Sequence, residues 1–139
     1  MKVQVGQELI PLKKGPITVE QLRLYAEVSG DFNPIHLDPQ FAQEAGYPSV
    51  IAHGMLSMAF LADGIRKHFP EANFQVEQFS ARFKKVTFPG DVLTIRCKVK
   101  AIELSGAITL QVWAENQKSE VTTQGECQVK PLAAGSAMC

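Results

Sequence analysis

The sequence carries no excess of charge of either sign, because its 14 Lys and Arg residues balance its 14 Asp and Glu residues. Bulk electrostatic attraction to nucleic acid or to an anionic membrane surface is therefore not expected. Long hydrophobic runs are also lacking: the longest, Met55 to Ile65, is interrupted by Ser57, Asp63 and Gly64 and is too short to cross a bilayer. The first six residues contain no apolar core of a signal peptide, so we expect neither secretion nor a membrane partner.

Cysteine is scarce and irregularly placed. Cys97, Cys127 and Cys139 are odd in number and far apart, which fits neither a disulfide framework nor a metal-binding pair. Reduced thiols in a cytoplasmic protein are the simplest interpretation. The sequence also lacks a phosphate-binding glycine loop, a dinucleotide fingerprint and a G-x-S-x-G serine elbow. We therefore expect no cofactor and no metal.

Helical patterns fill the first half of the chain, after a short candidate strand. Thr18 is placed as an N-cap, Gln21 completes a capping box, and Gly30 is placed to end the helix. Asp38-Pro39 is the same kind of starting signature for a short second helix. The elements predicted here are a strand over Val3–Leu9, helices over Val19–Val28 (with Val19, Leu22 and Ala26 on one face) and Pro39–Ala45, and a long buried helix from Met55 to about Phe69.

Strand patterns fill the second half of the chain. Helices followed by antiparallel strands indicate an α+β protein, and one unusually apolar helix beside a long meander suggests a curved sheet wrapped around that helix. The length suits one domain, over residues 1–132, with residues 133–139 as a flexible C-terminal tail. The predicted strands are Phe74–Phe88, Val92–Glu103, one with Ile108, Leu110, Val112 and Ala114 on a single face, and Val121–Val129.

A loop after the first long helix contains the first candidate site. Asp31, Asn33 and His36 lie within six residues of one another, and Pro34 restricts the backbone between them. A carboxylate close to an imidazole can handle protons near neutral pH. Spacing alone favours the alternative, in which Asp31 caps a turn, Asn33 tightens it and His36 is a hydrogen-bonded core histidine.

The start of the long helix contains the second candidate site. Gly54 follows His53 where the first backbone N–H groups of the helix have no partner within the helix. A glycine there would let a substrate oxygen approach closely, as in an oxyanion hole. Taken alone, this pattern too favours an alternative, in which Gly54 allows close packing and His53 caps the helix.

Three stretches of the sequence together resemble one family. Ser-Gly-Asp-Phe-Asn-Pro-Ile-His over residues 29–36, Ala-His-Gly-Met over residues 52–55 and the strand-and-turn sequence over residues 83–91 are similar to the MaoC-like (R)-specific enoyl-CoA hydratases, the hydratase 2 family. The stretches occur in the family's order and span most of the chain.

The resemblance implies a hot-dog fold, in which a sheet wraps around one long helix, and a homodimer whose sheets join edge to edge. It also implies a hydro-lyase that adds water to a trans-2-enoyl thioester and yields an (R)-3-hydroxyacyl thioester. Asp31 and His36 would be the catalytic pair, with water held between them. Gly54 would donate its N–H to the thioester oxygen, where charge develops in the reaction.

The resemblance extends the expected site to groups that bind the substrate. Asn33, His53 and Met55 belong to the same motifs, although Asn33 is expected chiefly to fix its loop. A basic cluster would meet the phosphates of coenzyme A or an acidic acyl carrier protein, unless it is only a solvated strand face. This cluster consists of Arg82, Lys84 and Lys85.

The resemblance leaves the substrate and the physiological role open. Some relatives carry a serine on the central helix about two turns beyond the glycine, where this chain has Ala62, so acyl chain length is not determined. The alternatives are a (3R)-hydroxyacyl dehydratase acting on acyl carrier protein, a hot-dog acyl-CoA thioesterase and a non-catalytic hot-dog subunit. The paired loop motifs argue against the thioesterase, and the intact Asp31 and His36 argue against the non-catalytic subunit.

Overall fold

A five-stranded antiparallel sheet and three α-helices make up residues 2–132, the part of the chain that this computed structural model describes. The α+β prediction is therefore confirmed, whereas the predicted tail, residues 133–139, lies outside the described residues. No helix in the described part is both long and apolar enough to cross a membrane. In chain order the elements are β1 (Leu12–Lys14), α1 (Val19–Ser29), a 3-10 helix (Pro34–His36), α2 (Pro39–Glu44), α3 (Gly54–His68), β2 (Phe74–Phe83), β3 (Leu93–Ile102), β4 (Ile108–Glu115) and β5 (Val121–Pro131).

The strands lie in the order β1-β3-β4-β5-β2. After α3 the chain forms the edge strand β2, crosses to β3 beside the opposite edge, and returns through β4 to β5, which pairs with β2. The predicted alternation of apolar residues is confirmed in the two central strands, because their inward residues are buried. These are Leu93, Ile95, Cys97 and Val99 in β3 and Ile108, Leu110, Val112 and Ala114 in β4.

α3 packs against β3 and β4 and forms the centre of the core. Gly64 allows the close approach, since a methyl group there would lie 2.5 Å from Cγ2 of Ile95. The expectation that this helix is buried nearly all round is wrong for one face, where Met55 is 57% exposed and Ala59 is also exposed. That face ends in the charged residues Arg66 and Lys67.

α1 begins and ends as its sequence predicts. Backbone N–H of Gln21 donates to Oγ1 of Thr18 at 3.0 Å, and Gly30 adopts the left-handed conformation with φ of 78°. Leu22 and Ala26 are buried, whereas Val19, predicted on the same helix face, is 43% exposed. Helical side chains lean toward the N-terminus, and Val19, as the first helical residue, has no preceding turn to pack on.

Two predicted strand boundaries are wrong. Residues 3–9 lie beside β3 and form backbone hydrogen bonds with it, such as that from the Leu9 N–H to the Cys97 carbonyl at 2.9 Å. The positive φ of Gly6 prevents a regular strand over these residues. The first strand is instead β1. The strand predicted to reach Phe88 ends at Phe83, because the next two N–H groups both turn to the Thr122 carbonyl.

Candidate active site

The loop after α1 is shaped by its own polar side chains. Oδ1 of Asp31 accepts from the Asn33 N–H at 3.2 Å, and Oδ1 of Asn33 accepts from the Ile35 N–H at 3.1 Å. Asn33 thereby caps the 3-10 helix that Pro34 begins and that ends at His36. Because Oδ1 of Asp31 is occupied by the backbone, Oδ2 is the oxygen that faces His36.

Two hydrogen bonds join this loop to the segment before α3. The Ile51 N–H donates to the Ile35 carbonyl at 3.2 Å, and Nδ1 of His36 lies 2.8 Å from the Ile51 carbonyl. A carbonyl oxygen only accepts, so Nδ1 of His36 carries the hydrogen in this contact. In the neutral ring, Nε2 is then a bare acceptor.

The Asp31 carboxylate and the His36 imidazole face each other without touching. Oδ2 of Asp31 lies 3.8 Å from Nε2 of His36, which is too far for a direct hydrogen bond. With Asp31 ionised and His36 neutral, both atoms are acceptors, and a water molecule can donate one hydrogen to each. His36 is buried and Asp31 is half-exposed, so the pair lies at the margin of the core.

His53 lies behind this pair and is 1% exposed. Its ring stacks on that of His36 with centroids 3.9 Å apart, and its Nε2 lies 3.1 Å from the Asp31 backbone carbonyl. Burial lowers the pKa of His53 below its usual value because it disfavours the cation, and the nearby His36 acts in the same direction. The bond to the Asp31 carbonyl and the Asp31 carboxylate oppose this shift.

Gly54 and His36 line the same pocket, which has a volume of about 250 Å³. Gly54 is the first residue of α3, so its N–H has no partner within the helix. A methyl group at Gly54 would lie 3.2 Å from ring carbons of Phe83, so the space over this helix tip is narrow. The remaining lining residues are Ile51, Ala52, Ser57, Phe83, Lys84, Lys85, Val86, Thr87 and Thr123.

Ser57, Phe83 and Thr123 are among the lining residues that have no assigned role in the sequence analysis. The signal for Ser57 was present, because a residue three positions after Gly54 lies on the same helix face. Thr123 pairs with Phe83 across β2 and β5, forty positions apart in the sequence, and no local pattern predicts that pairing.

Four of the expected substrate-binding residues (Asn33, His53, Met55 and Arg82), and Asp31 of the expected catalytic pair, are not among those that line this pocket. His53 lies behind His36, Asn33 caps the 3-10 helix, and Met55 points outward. Lys84 and Lys85 do line it, and Lys84 also lines a neighbouring cavity of about 480 Å³ together with Arg82. Nζ of Lys85 lies 2.5 Å from a Glu120 carboxylate oxygen, so its charge is partly balanced.

Asp31, His36 and His53 offer donor atoms that lie within 4.8 Å of one another, as in some metal sites. A metal bound to imidazole lies in the ring plane, about 2.0–2.1 Å from nitrogen. The His36 and His53 rings are stacked with an interplanar angle of 24°, so their in-plane lone pairs run side by side rather than converge. This geometry suits a proton-handling pair better than a shared metal.

Comparison with known proteins identifies the family and the fold. The family model described as MaoC like domain matches residues 2–123. The solved (R)-hydratase from A. caviae involved in PHA biosynthesis is 30% identical, with 92% of this chain and 96% of that chain covered and a TM-score of 0.84. The predicted hot-dog fold is thereby confirmed.

Two curated relatives, both from Arabidopsis thaliana, are named as a hydratase and as a dehydratase, with different thioester carriers. The peroxisomal enoyl-CoA hydratase 2 is 36% identical over 88 residues, which are 58% of this chain and 28% of the relative. The mitochondrial 3-hydroxyacyl-[acyl-carrier-protein] dehydratase is 42% identical over 72 residues, which are 52% of this chain and 42% of the relative. The chain spans less than half the length of each. This chain belongs to the MaoC-like family of hydratases and dehydratases.

Proposed function

We propose that this chain catalyses the reversible addition of water to trans-2-enoyl-CoA, giving (R)-3-hydroxyacyl-CoA. The observation that carries the proposal is the pair of acceptor atoms, Oδ2 of Asp31 and Nε2 of His36, 3.8 Å apart beside a pocket that begins at the N-terminus of α3. A free helix-tip N–H and a water-binding acid–imidazole pair are the two components that this hydration requires.

The thioester carbonyl binds at the helix tip. Its oxygen accepts from the Gly54 N–H, and the positive end of the α3 dipole lies behind that group. Addition of water at C3 moves electron density onto this oxygen, so the contact strengthens as the enolate forms. Gly54 leaves the oxygen room to approach, since a side chain there would crowd the Phe83 ring.

Asp31 and His36 hold the water through its two hydrogens and leave an oxygen lone pair directed toward C3. His36 Nε2 starts without a hydrogen, because Nδ1 donates to the Ile51 carbonyl, and so it can take a proton before it gives one. As the hydroxyl bonds to C3, the released proton passes to this pair, and C2 receives a proton. The water's hydroxyl group ends on C3, C2 gains one proton, and both side chains return to their starting protonation states.

The basic cluster suits the phosphates of coenzyme A. Lys84 lines both the catalytic pocket and the adjacent larger cavity, which Arg82 also lines. Lys85 is tied to Glu120 at 2.5 Å, so Arg82 and Lys84 carry most of the attraction. A second candidate function is dehydration of (3R)-hydroxyacyl groups on acyl carrier protein. One relative is named for that reaction, and the same cations would attract an acidic carrier surface.

A homodimer joined along β2 is the proposed assembly. β2 is a ten-residue edge strand of the sheet, and a long unprotected edge favours pairing with another chain. Val76 and Phe83 on this strand are 47% and 52% exposed, and Met55 of α3 is exposed as well. A second copy would cover apolar surface that a monomer leaves in water.

A reducing compartment such as the cytoplasm is consistent with the thiols of the described region. Cys97 and Cys127 are both buried and carry no disulfide there. Burial raises the pKa of Cys97 to about 12 and that of Cys127 to about 11, so neither is a reactive thiolate.

The test is a hydration assay that follows loss of the enoyl-thioester absorbance on crotonyl-CoA and on longer trans-2-enoyl-CoA substrates. Chiral analysis of the product should give the (R)-3-hydroxyacyl ester. The same assay with crotonyl-acyl carrier protein separates the two candidate functions, and a strong preference for the carrier protein would refute the CoA assignment. Release of free thiol without hydration would indicate a thioesterase, and no turnover at all would indicate a non-catalytic subunit.

A further inference from the structure

His53 makes contacts that the proposed mechanism does not use. It is fully enclosed, and it is not among the residues that line the catalytic pocket. Its ring lies against the His36 ring on one side and is tilted against the Tyr25 ring, at a centroid distance of 4.8 Å. Such a residue cannot contact the substrate without a rearrangement of the core.

The protonation state of His53 follows from its contacts. Nε2 lies 3.1 Å from the Asp31 carbonyl, and a carbonyl only accepts, so Nε2 carries the hydrogen. Nδ1 is buried without a hydrogen-bond partner in the described part of the chain, so a second proton on the ring would have no acceptor there. The titratable groups that face the ring are Tyr25, Asp31 and His36. His53 is therefore a neutral ring in one tautomer.

We propose that His53 is a positioning residue that fixes Asp31, His36 and the Gly54 N–H relative to one another. Its stacked ring restrains the plane of the His36 imidazole, and its Nε2–H restrains the backbone of Asp31. Its own peptide carbonyl carbon is bonded to the Gly54 nitrogen, so the same residue orients the proposed oxyanion donor. One residue thus connects all three reacting parts of the proposed site, on which this inference depends: Asp31 and His36 through its side chain, and Gly54 through its backbone.

Two variants separate the two side-chain contacts. His53→Phe keeps an aromatic ring to stack on His36 but removes the donor to Asp31. His53→Gln keeps a donor near the position of Nε2 but removes the stacked ring. We expect each to lower kcat for crotonyl-CoA hydration by about 10–100-fold while KM changes less than threefold, because small misplacements of reacting groups cost rate rather than uniform binding.

His68→Phe is the matched control. Nε2 of His68 also lies near a backbone carbonyl, that of Ile10 at 2.8 Å, but at the opposite end of α3. We expect this variant to keep wild-type kcat, which would show that losing one histidine-to-carbonyl bond does not by itself reduce activity. A rise in KM at unchanged kcat in the His53 variants would mean that His53 binds substrate, and wild-type kinetics in both would end the proposal.

Nitrogen-15 NMR of the imidazole rings tests the arrangement in the wild-type protein, whether or not the variants fold. We expect His53 to be neutral at pH 7 with hydrogen on Nε2, and His36 to carry hydrogen on Nδ1. A protonated His53, or either ring in the opposite tautomer, would overturn the positioning role. If the wild type hydrates no enoyl thioester but shows these tautomers, the proposed function fails while the geometry of the inference stands.

Discussion

At the scale of single residues, the proposed chemistry depends on which nitrogen of His36 carries the hydrogen. The Ile51 carbonyl holds Nδ1–H at 2.8 Å, which leaves Nε2 as the acceptor opposite Asp31. If the hydrogen were on Nε2 instead, that nitrogen would be a donor and could not accept a hydrogen from the water. The proposed hydration step therefore depends on a hydrogen bond to the backbone that no side-chain motif records.

Without either acceptor the water should no longer be held for attack, so the rate losses from removing Asp31 and from removing His36 should not be additive in free energy. We expect Asp31→Asn and His36→Ala each to lower kcat for crotonyl-CoA by about 10²–10⁴-fold, and the double variant to be little worse than the poorer single one. Asp31 is half-exposed, so its amide analogue should fold normally. Steady-state kinetics of the three variants measure this directly.

Asp38→Asn is the control for that series. Asp38 lies in the same loop, but its carboxylate caps α2 by accepting from the N–H groups of Gln40 and Phe41. Asparagine is an equally good N-cap, so activity and stability should remain at wild-type values. Single-variant losses that multiply in the double variant would contradict a shared water, and an active Asp31→Asn would contradict the assignment of Asp31.

The local sequence predicts the residues of the reacting pair better than their surroundings. Asp31, Asn33 and His36 are close in sequence, and Pro34 stiffens the chain between them, so their nearness follows from a short loop. The stack of His36 on His53 and the pairing of Phe83 with Thr123 arise from tertiary packing between distant segments. Such contacts have no periodicity or spacing that a single sequence could reveal.

At the scale of secondary-structure elements, the proposed oxyanion site is the first N–H of α3, and a proline can remove it selectively. Proline is tolerated at the first position of a helix, and the preceding residue, His53, already has the extended φ and ψ of −62° and 136° that a following proline requires. We expect Gly54→Pro to lower kcat by about 10²–10³-fold through loss of the donor. Enoyl-CoA kinetics and a thermal unfolding curve would be measured together.

Gly54→Ala separates the donor from the added bulk. It keeps the N–H and places a methyl group 3.2 Å from the Phe83 ring, which is half-exposed and can shift outward. We expect a smaller loss for alanine than for proline. Equal losses in the two variants would show that crowding against Phe83, rather than the N–H, controls the rate.

Elements with repeated local signals were predicted correctly, and those that depend on neighbours were not. The caps of α1 and α2 and the alternation in β3 and β4 follow from side-chain chemistry within a few residues. The end of β2 depends instead on where Thr122 offers its carbonyl, and Val3–Leu9 is interrupted by a turn at Gly6. The outward face of α3 was mistaken for a buried one because its apolar residues are covered by nothing within the described chain.

At the scale of the whole molecule, the two edges of the sheet differ. β1 is three residues long and is continued by the N-terminal segment lying beside β3, so little free backbone remains at that edge. β2 offers ten residues at the other edge, with exposed apolar side chains along it. Association between copies should therefore use the β2 edge.

A lysine on the β2 edge should disrupt the dimer without unfolding the chain. Val76 is 47% exposed, and in a dimer joined along β2 two symmetry-related lysines would lie close together, with an energetic cost from repulsion and desolvation. We expect the wild type to elute at twice the mass of one chain by size exclusion with light scattering, and Val76→Lys to shift toward the monomer.

Val5→Lys makes the same change at another exposed valine, in the segment beside β3 on the opposite side of the sheet, and should remain dimeric. A monomeric wild type, or a dimer that tolerates Val76→Lys and is lost in Val5→Lys, would mean that the copies do not associate through β2.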